Sequence, residues 1–246
     1  MTSVVYEDKD KYSILTISNL DKKNALNSKI YKDLSVYINK VSEDEKKSVL
    51  IIQSEGEDFT SGNDINDFIE NPEPSESSPI WDFVRSILDF KKILIFAVSG
   101  NCIGIGSTMI MHSDFVYASP NTKFNMPFLK MGLVPEFGAT LTFPKEIGRK
   151  KASELLFLGR YFNAENALKM SIVNEVCEDP KSRALEVAIE ISELPSWSLI
   201  ETKRLIIQTY NDKMIDVVRN EYFSFKKALS SDTVKAFFAN FIKRIK

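Results

Sequence analysis

The 246-residue chain has one histidine, two cysteines and no strong charge of either sign, and each shortage removes a class of function. With His112 alone, no histidine pair can hold a catalytic metal, and a serine or cysteine triad has a single candidate imidazole. That imidazole sits in the apolar run MIMHSDF, where a satisfied structural role fits better than a base. Cys102 and Cys177 are too few and too far apart for a disulfide framework or a paired-ligand zinc site. Cys102 lies in an apolar run that suits a buried thiol, which points to a reducing compartment. A formal net charge of -2 supplies no basic field for nucleic acid. No stretch reaches the ~20 apolar residues that a membrane helix needs. The start, MTSVVYEDKDKYSIL, lacks the cationic and apolar segments of a secretory signal, and no transit peptide is visible. The final Arg244-Ile245-Lys246 differs from a Ser-Lys-Leu-like peroxisomal address. The expectation is a cytoplasmic, bacterial protein without nucleic-acid or membrane partners and without a metal.

What is present is an alternation of strand and helix patterns. Val4 to Glu7 and Tyr12 to Ile17 read as a hairpin around the charged DKDK turn, and Ser28 to Val41 carries apolar residues at helical spacing. SVLIIQ at 48–53 and Ile93 to Val98 read as strands buried on both faces. A helix is expected to start near Asn63, another spans Pro79 to Phe90, and NPEPSESSP at 71–79 reads as a loop. Asp114 to Ala118 and Ile172 to Val176 supply further strands, with helices from Lys150 to Leu158 and from Ala164, capped by Asn163. From Ser182 onward the pattern is helical, in pieces Ala184–Ile191, Leu199–Tyr210, Met214–Leu229 and Thr233–Ile245. The result is an α/β fold with a largely parallel core at 1–195 and a helical region at 196–246.

Three loops carry the chemical signal. In FNMPFLKMGLVPEFGATLTFPKEIG, at 124–148, Glu136 is flanked by Met126, Phe128, Met131, Leu133, Phe137 and Phe143. A carboxyl facing those groups would be poorly solvated as an anion and have a raised pKa, as a general base requires. A solvated turn glutamate is the other reading. FTSGNDI at 59–65 and SGNCIGIGSTMIM at 99–111 are glycine-bearing turns that open helices, whose first N–H groups suit a developing oxyanion. Plain strand-to-helix packing would look the same. The glycines at 100, 104 and 106 match neither the dinucleotide fingerprint nor a phosphate loop.

Together, KKNALN at 22–27, FTSGND at 59–64, AVSGNCIGIGSTMIMHSDFVYAS at 97–119 and the Glu136 stretch resemble the crotonase (enoyl-CoA hydratase/isomerase) superfamily over almost the whole length. The Ser-Gly-Asn-Asp turn, the Gly-Ile pair and Pro-Glu followed by Thr-Phe-Pro-Lys are similar to the Δ3,Δ2-enoyl-CoA isomerases of the peroxisomal type. The resemblance implies a spiral of ββα units with a C-terminal helical trimerisation region, as a homotrimer or dimer of trimers. It also implies an acyl-CoA thioester substrate, with coenzyme A part of that substrate and no separate cofactor. The two glutamates that hydratases use correspond here to Thr108 and Phe128, whereas the isomerase acid is matched by Glu136. By the same resemblance, the backbone N–H groups of Asn63 and Ile105 form the oxyanion hole, and Lys22, Lys23, Ser61 and Asp64 contact coenzyme A. Asp64 reads as a helix-start acid, and the lysine-rich end IKRIK is a further candidate for coenzyme contact. Phe128, Met131, Phe137 and Phe143 are expected to wall the acyl channel, or else to be ordinary core. The leading expectation is an enoyl-CoA isomerase of fatty acid β-oxidation. The alternatives are a hydratase or other crotonase-type acyl-CoA enzyme, and a non-catalytic CoA-thioester-binding protein.

Overall fold

The computed structural model describes residues 2–70 and 75–245, with side chains described except at 68–70, 209–212, 241, 242, 244 and 245. Its strands are β1 (Ser3–Asp8), β2 (Tyr12–Ser18), β3 (Val49–Ser54), β4 (Ile93–Val98), β5 (Asn101–Ile103), β6 (Phe115–Ala118), β7 (Lys123–Asn125), β8 (Phe162–Asn163) and β9 (Glu175–Val176). The helices are α1 (Ser28–Glu43), α2 (Ile65–Glu70), α3 (Pro79–Leu88), α4 (Ile105–Met109) and α5 (Ala139–Ile147). They continue as α6 (Arg149–Leu158), α7 (Ala164–Lys169), α8 (Pro180–Ser192), α9 (Ser196–Leu229) and α10 (Asp232–Ile245).

The larger sheet has the order β1-β2-β3-β4-β6-β9 and the smaller one β5-β7-β8. The β1–β2 hairpin is antiparallel, and from β2 to β9 the large sheet is parallel. Pleating explains why β4 is apolar on every residue and β3 from Val49 to Ile52. Along β3, Val49 and Ile51 join Ile93, Ile95 and the Ala184, Val187 and Ala188 face of α8 in one cluster. The alternate residues Leu50 and Ile52 join Leu94, Phe96 and the Ile30, Leu34 and Ile38 stripe of α1 in the other. Asn27 caps α1 by accepting the Ile30 N–H at 3.0 Å.

The structure revises the expected elements at several points. The helix expected near Asn63 begins at Ile65, with the Asp64 Oδ1 accepting the Asn66 N–H at 3.0 Å. The strand expected over Ile172 to Val176 is limited to Glu175–Val176, because Ile172 and Val173 turn into the core after the left-handed Ser171. The two pieces expected at Leu199–Tyr210 and Met214–Leu229 are one helix of 34 residues. The intervening Asn-Asp-Lys costs only a few tenths of a kcal/mol per residue in a helix interior and breaks nothing. Within 124–148, where no element is expected, lie β7, a 3-10 turn at Phe128–Met131 and α5. The expected loop at 71–79 falls in part outside the described residues.

The C-terminal helices fold back onto the body. Met214, Val218, Phe225, Leu229, Val234 and Phe238 are buried in the main core. Lys203 ties α9 to the start of β4, its ammonium donating to the Lys92 carbonyl and to Asp114, each at 2.7 Å.

Candidate active site

The two glycine-bearing turns leave the ends of β3 and β4 and are zipped side by side. Thr60 N–H donates to the Asn101 carbonyl at 2.8 Å, and Ile103 N–H donates to the Thr60 carbonyl at 3.0 Å. A Cβ on Gly106 would stand 2.4 Å from the Thr60 Cγ2, so this contact requires glycine. The KKNALN segment closes the other side: Leu26 N–H donates to the Gly62 carbonyl and Asp64 N–H to the Leu26 carbonyl, both at 2.8 Å. Ligands of parallel α/β sheets bind at this carboxyl end of the strands.

Gly104 takes the left-handed position of the second turn, at φ 57°. Ile105 is therefore the first helical residue of α4, with no positive φ, and its β-branched side chain is fully buried. Among the described residues, no acceptor takes the backbone N–H of Asn63 or of Ile105. The Asn63 side chain is engaged as well, since its Oδ1 accepts the hydroxyl of Tyr31 from α1.

Glu136 lies in the turn before α5. Burial pushes its carboxyl up to about 8, against a hydrogen bond from the Thr108 hydroxyl at 2.6 Å that favours the anion; Glu221 adds a like charge. The carboxyl that the sequence places among apolar groups is thus desolvated, not a solvated turn residue. Burial likewise pushes the Tyr31 phenol well above its usual range, with the Glu136 charge adding to it.

Glu136 and Asn63 border a cavity of about 50 Å³ whose apolar walls are Ile80, Trp81 and Val84 of α3, Phe137, and Val218, Tyr222 and Phe225 of α9. Of the four expected wall residues, Phe137 lines this cavity. Phe128 and Phe143 are buried in the main core and Met131 packs against it, because the 3-10 turn and α5 aim them inward. The residues that do form the walls sit on helical faces, Trp81 and Val84 at spacing 3 and Val218, Tyr222 and Phe225 at spacings 4 and 3, which is the signal that could have found them. A larger cavity of about 790 Å³ lies beyond His112, along α9, and is lined by Asp114 and Lys203 among others. The Asp114 and Lys203 charges on its wall are already paired with each other, so the smaller cavity is the better candidate for chemistry.

Lys22, Lys23, Ser61 and Asp64 converge on one patch. The Lys22 ammonium pairs with Asp64 at 2.6 Å, Ser61 N–H donates to the Lys23 carbonyl and Ser61 Oγ to the Lys22 carbonyl, both at 3.0 Å. Asp64 therefore orients Lys22 and starts α2, while Lys22 and Lys23 remain exposed. Of the terminal IKRIK segment only Lys243 has a described side chain, and it is exposed.

His112 is held as a structural imidazole. It stacks on Phe137 with ring centroids 4.6 Å apart, and its Nε2 lies 2.6 Å from the Phe137 carbonyl. Burial lowers its pKa to about 4. Glu221 of α9, 83 residues from the turn it contacts, accepts the Gly138 N–H at 2.6 Å. Neither contact is visible in local sequence. Among the described residues, no three His, Cys, Asp or Glu side chains converge as metal ligands, and no helix is long and apolar enough to cross a membrane.

Comparison with known proteins identifies the family. Enoyl-CoA delta isomerase 2 of Rattus norvegicus is 29% identical over 232 residues, covering 90% of this chain and 59% of its own length. The chain thus spans about three fifths of that relative. The 1,2-epoxyphenylacetyl-CoA isomerase of Escherichia coli K12 is 29% identical, over 78% of this chain and 77% of its own. The solved structure of OdaA from Pseudomonas aeruginosa superposes with a TM-score of 0.94 at 33% identity, covering 97% of this chain and 98% of that one. The family described as Enoyl-CoA hydratase/isomerase matches residues 9–246, and the chain belongs to this crotonase family.

Proposed function

We propose that this protein is a Δ3,Δ2-enoyl-CoA isomerase in which Glu136 is the only proton-transferring side chain. The observation that carries the reading is a desolvated carboxyl bordering an apolar cavity, with Thr108 where a hydratase would hold a second acid. In the first step the Glu136 carboxylate removes a proton from C2 of a 3-enoyl thioester. The electron pair moves through C1 onto the thioester oxygen, giving a dienolate. The same carboxyl then returns the proton to C4, the double bond settles at the 2-position, and the carboxylate is regenerated. No atom is gained or lost, and no cofactor is required beyond the coenzyme A of the substrate.

The dienolate charge needs donors at the thioester oxygen, a role we assign to the Asn63 and Ile105 N–H groups. One such donor is worth about 2.7–4 kcal/mol in enzymes where it has been removed. A raised carboxyl pKa brings the base close to neutral pH, where proton transfer is most efficient. Lys22, oriented by Asp64, and Lys23 supply charge for the coenzyme phosphates, and Ser61 supplies backbone. Assembly as a trimer or dimer of trimers is part of this reading, supported by Trp197, Leu205, Ile206 and Phe223 exposed along α9. So are a role in unsaturated fatty acid oxidation and a reducing cytoplasm, in keeping with the free thiols of Cys102 and Cys177.

Conjugation of 3-hexenoyl-CoA, followed by ultraviolet absorbance, tests the assignment. Wild type should turn over, and Glu136→Gln should be slower by about 10²–10⁴-fold. Equal rates in the two proteins would sink the role of Glu136. Faster hydration of the 2-enoyl thioester than isomerisation would favour a hydratase instead.

A further inference from the structure

Phe137 and Gly138 follow Glu136 directly, and both adopt left-handed backbone, at φ 58° and 75°. Glycine takes that conformation freely. A bulky aromatic residue does so only where its surroundings over-determine it. Here the peptide joining the two residues is gripped at both ends. Its carbonyl, Phe137 O, can only accept, so the His112 Nε2 at 2.6 Å carries the proton and donates. Its N–H, on Gly138, donates to Glu221 Oε2 at 2.6 Å.

Glu221 does more than hold one amide. Its other oxygen accepts the Thr140 N–H at 2.8 Å and the Thr140 hydroxyl at 2.5 Å. A carboxylate at this place satisfies donors at the first turn of α5 and complements the positive end of the helix. The glutamate is 6% exposed and lies on α9 between Val218 and Tyr222, which wall the cavity that Glu136 borders. The packing leaves little slack, since a Cβ at Gly138 would approach the Met214 sulfur of the same helix to 2.6 Å.

We propose that His112 and Glu221 are a pair of positioning residues that fix Glu136 by clamping the Phe137–Gly138 peptide. The clamp sets the direction in which the Glu136 side chain leaves the turn, so that its Oε1 meets Thr108 and the group borders the cavity. It rests on the reading of Glu136 as the proton shuttle. Neither His112 nor Glu221 lines that cavity, so both act through the backbone and not on the substrate. Through the clamp, α9 becomes part of the active site's support.

Two variants test the pair. His112→Phe keeps a ring to stack on Phe137 and removes the donor. Glu221→Gln keeps the volume and turns one acceptor oxygen into an amide NH₂ facing an N–H. For each folded variant, kcat and KM for 3-hexenoyl-CoA are measured, together with the titration of Glu136 by ¹³C NMR on carboxyl-labelled glutamate, assigned against Glu136→Gln. Among the described residues, the titratable groups whose charge reaches Glu136 are Tyr31 and Glu221. The expected result is kcat lower by about ten- to a hundredfold with KM little changed, as for a displaced catalytic group. In Glu221→Gln the Glu136 midpoint should also fall, because a neighbouring like charge is lost. Wild-type kcat in both variants, with an unmoved midpoint in His112→Phe, would overturn the clamp. If wild type fails to convert the substrate, the isomerase reading falls. The clamp is then decided by the titration of His112→Phe, which removes no charge near neutral pH: a shifted midpoint supports it and an unshifted one overturns it.

Discussion

Two carboxyls face the long helix α9 and meet opposite surroundings. Asp114 receives the Lys203 ammonium at 2.7 Å and the Leu94 N–H at 2.8 Å, so its charge is matched by a cation and a backbone donor. Among the described residues, Glu136 receives one neutral hydroxyl and shares a cavity with Trp81, Phe137 and Tyr222 that no cation lines. Both acids are shielded from water, and the difference lies in what replaces the water. An acid matched by a cation ties elements together, whereas one left with a single donor holds its proton loosely enough, near neutral pH, to exchange it. The comparison can be broken at either carboxyl.

The largest effect on folding should come from the paired side. Lys203→Met leaves Asp114 partly buried without its cation, and breaking such a pair costs about 3–5 kcal/mol. Because Asp114 retains some exposure, 19% at the side chain, the low end is expected. Urea unfolding would measure it, and activity per folded molecule should stay close to wild type. A loss of activity at full stability would mean that the pair serves the chemistry rather than the fold.

Next in size is the pH dependence that Glu136 adds to stability. Its pKa rises from 4.5 in the unfolded chain to about 8 in the fold, so between those values the native state holds a proton that the unfolded state releases. The stability this group contributes is fully present below the unfolded pKa and is lost as pH rises through the folded one. Since Glu136 keeps some surface exposure, the loss should be on the order of 2–3 kcal/mol, below the full value of roughly 1.4 kcal/mol per unit. Unfolding of wild type and Glu136→Gln at acidic and alkaline pH isolates this, because other groups titrate alike in both proteins. The wild type should lose stability relative to the variant on going alkaline. A constant difference would show that Glu136 is ionised as freely as an ordinary carboxylate.

The same contrast explains which features the sequence discloses. The β3 and β4 runs, the two glycine turns and the apolar flank of Glu136 are local patterns, and all are legible in the chain. The helix α5 is not, since Pro144 lies inside it and left-handed Gly138 and Gly148 stand at its ends. Nor are the cavity walls, because Val218, Tyr222 and Phe225 have the spacing of any core-facing helix stripe. Hydrophobicity does not distinguish a residue that faces a substrate from one that faces the core, which is why Phe128 and Phe143 look like equal candidates. His112 and Glu221 meet the same peptide from 25 and 83 residues away. Contacts of that span are set by how the helices pack and leave no local trace.

The smallest test concerns the Thr108 hydroxyl, the donor that Glu136 has among the described residues. Thr108→Val removes the hydroxyl that bonds Oε1 and also the weaker 3.3 Å bond from that hydroxyl to the Ile105 carbonyl. Hydrogen bonds to charged groups contribute about 1.5–3 kcal/mol, so a loss near the low end corresponds to about a tenfold drop in kcat/KM at neutral pH. The direction on the pH axis is fixed by the role of the bond. The hydroxyl lowers the Glu136 pKa, so removing it should move the rise of kcat/KM to higher pH, and rates should recover toward wild type in alkaline buffer. A drop that alkaline pH does not recover would mean that Thr108 shapes the turn carrying Ile105, and that Glu136 does not depend on its last donor to ionise.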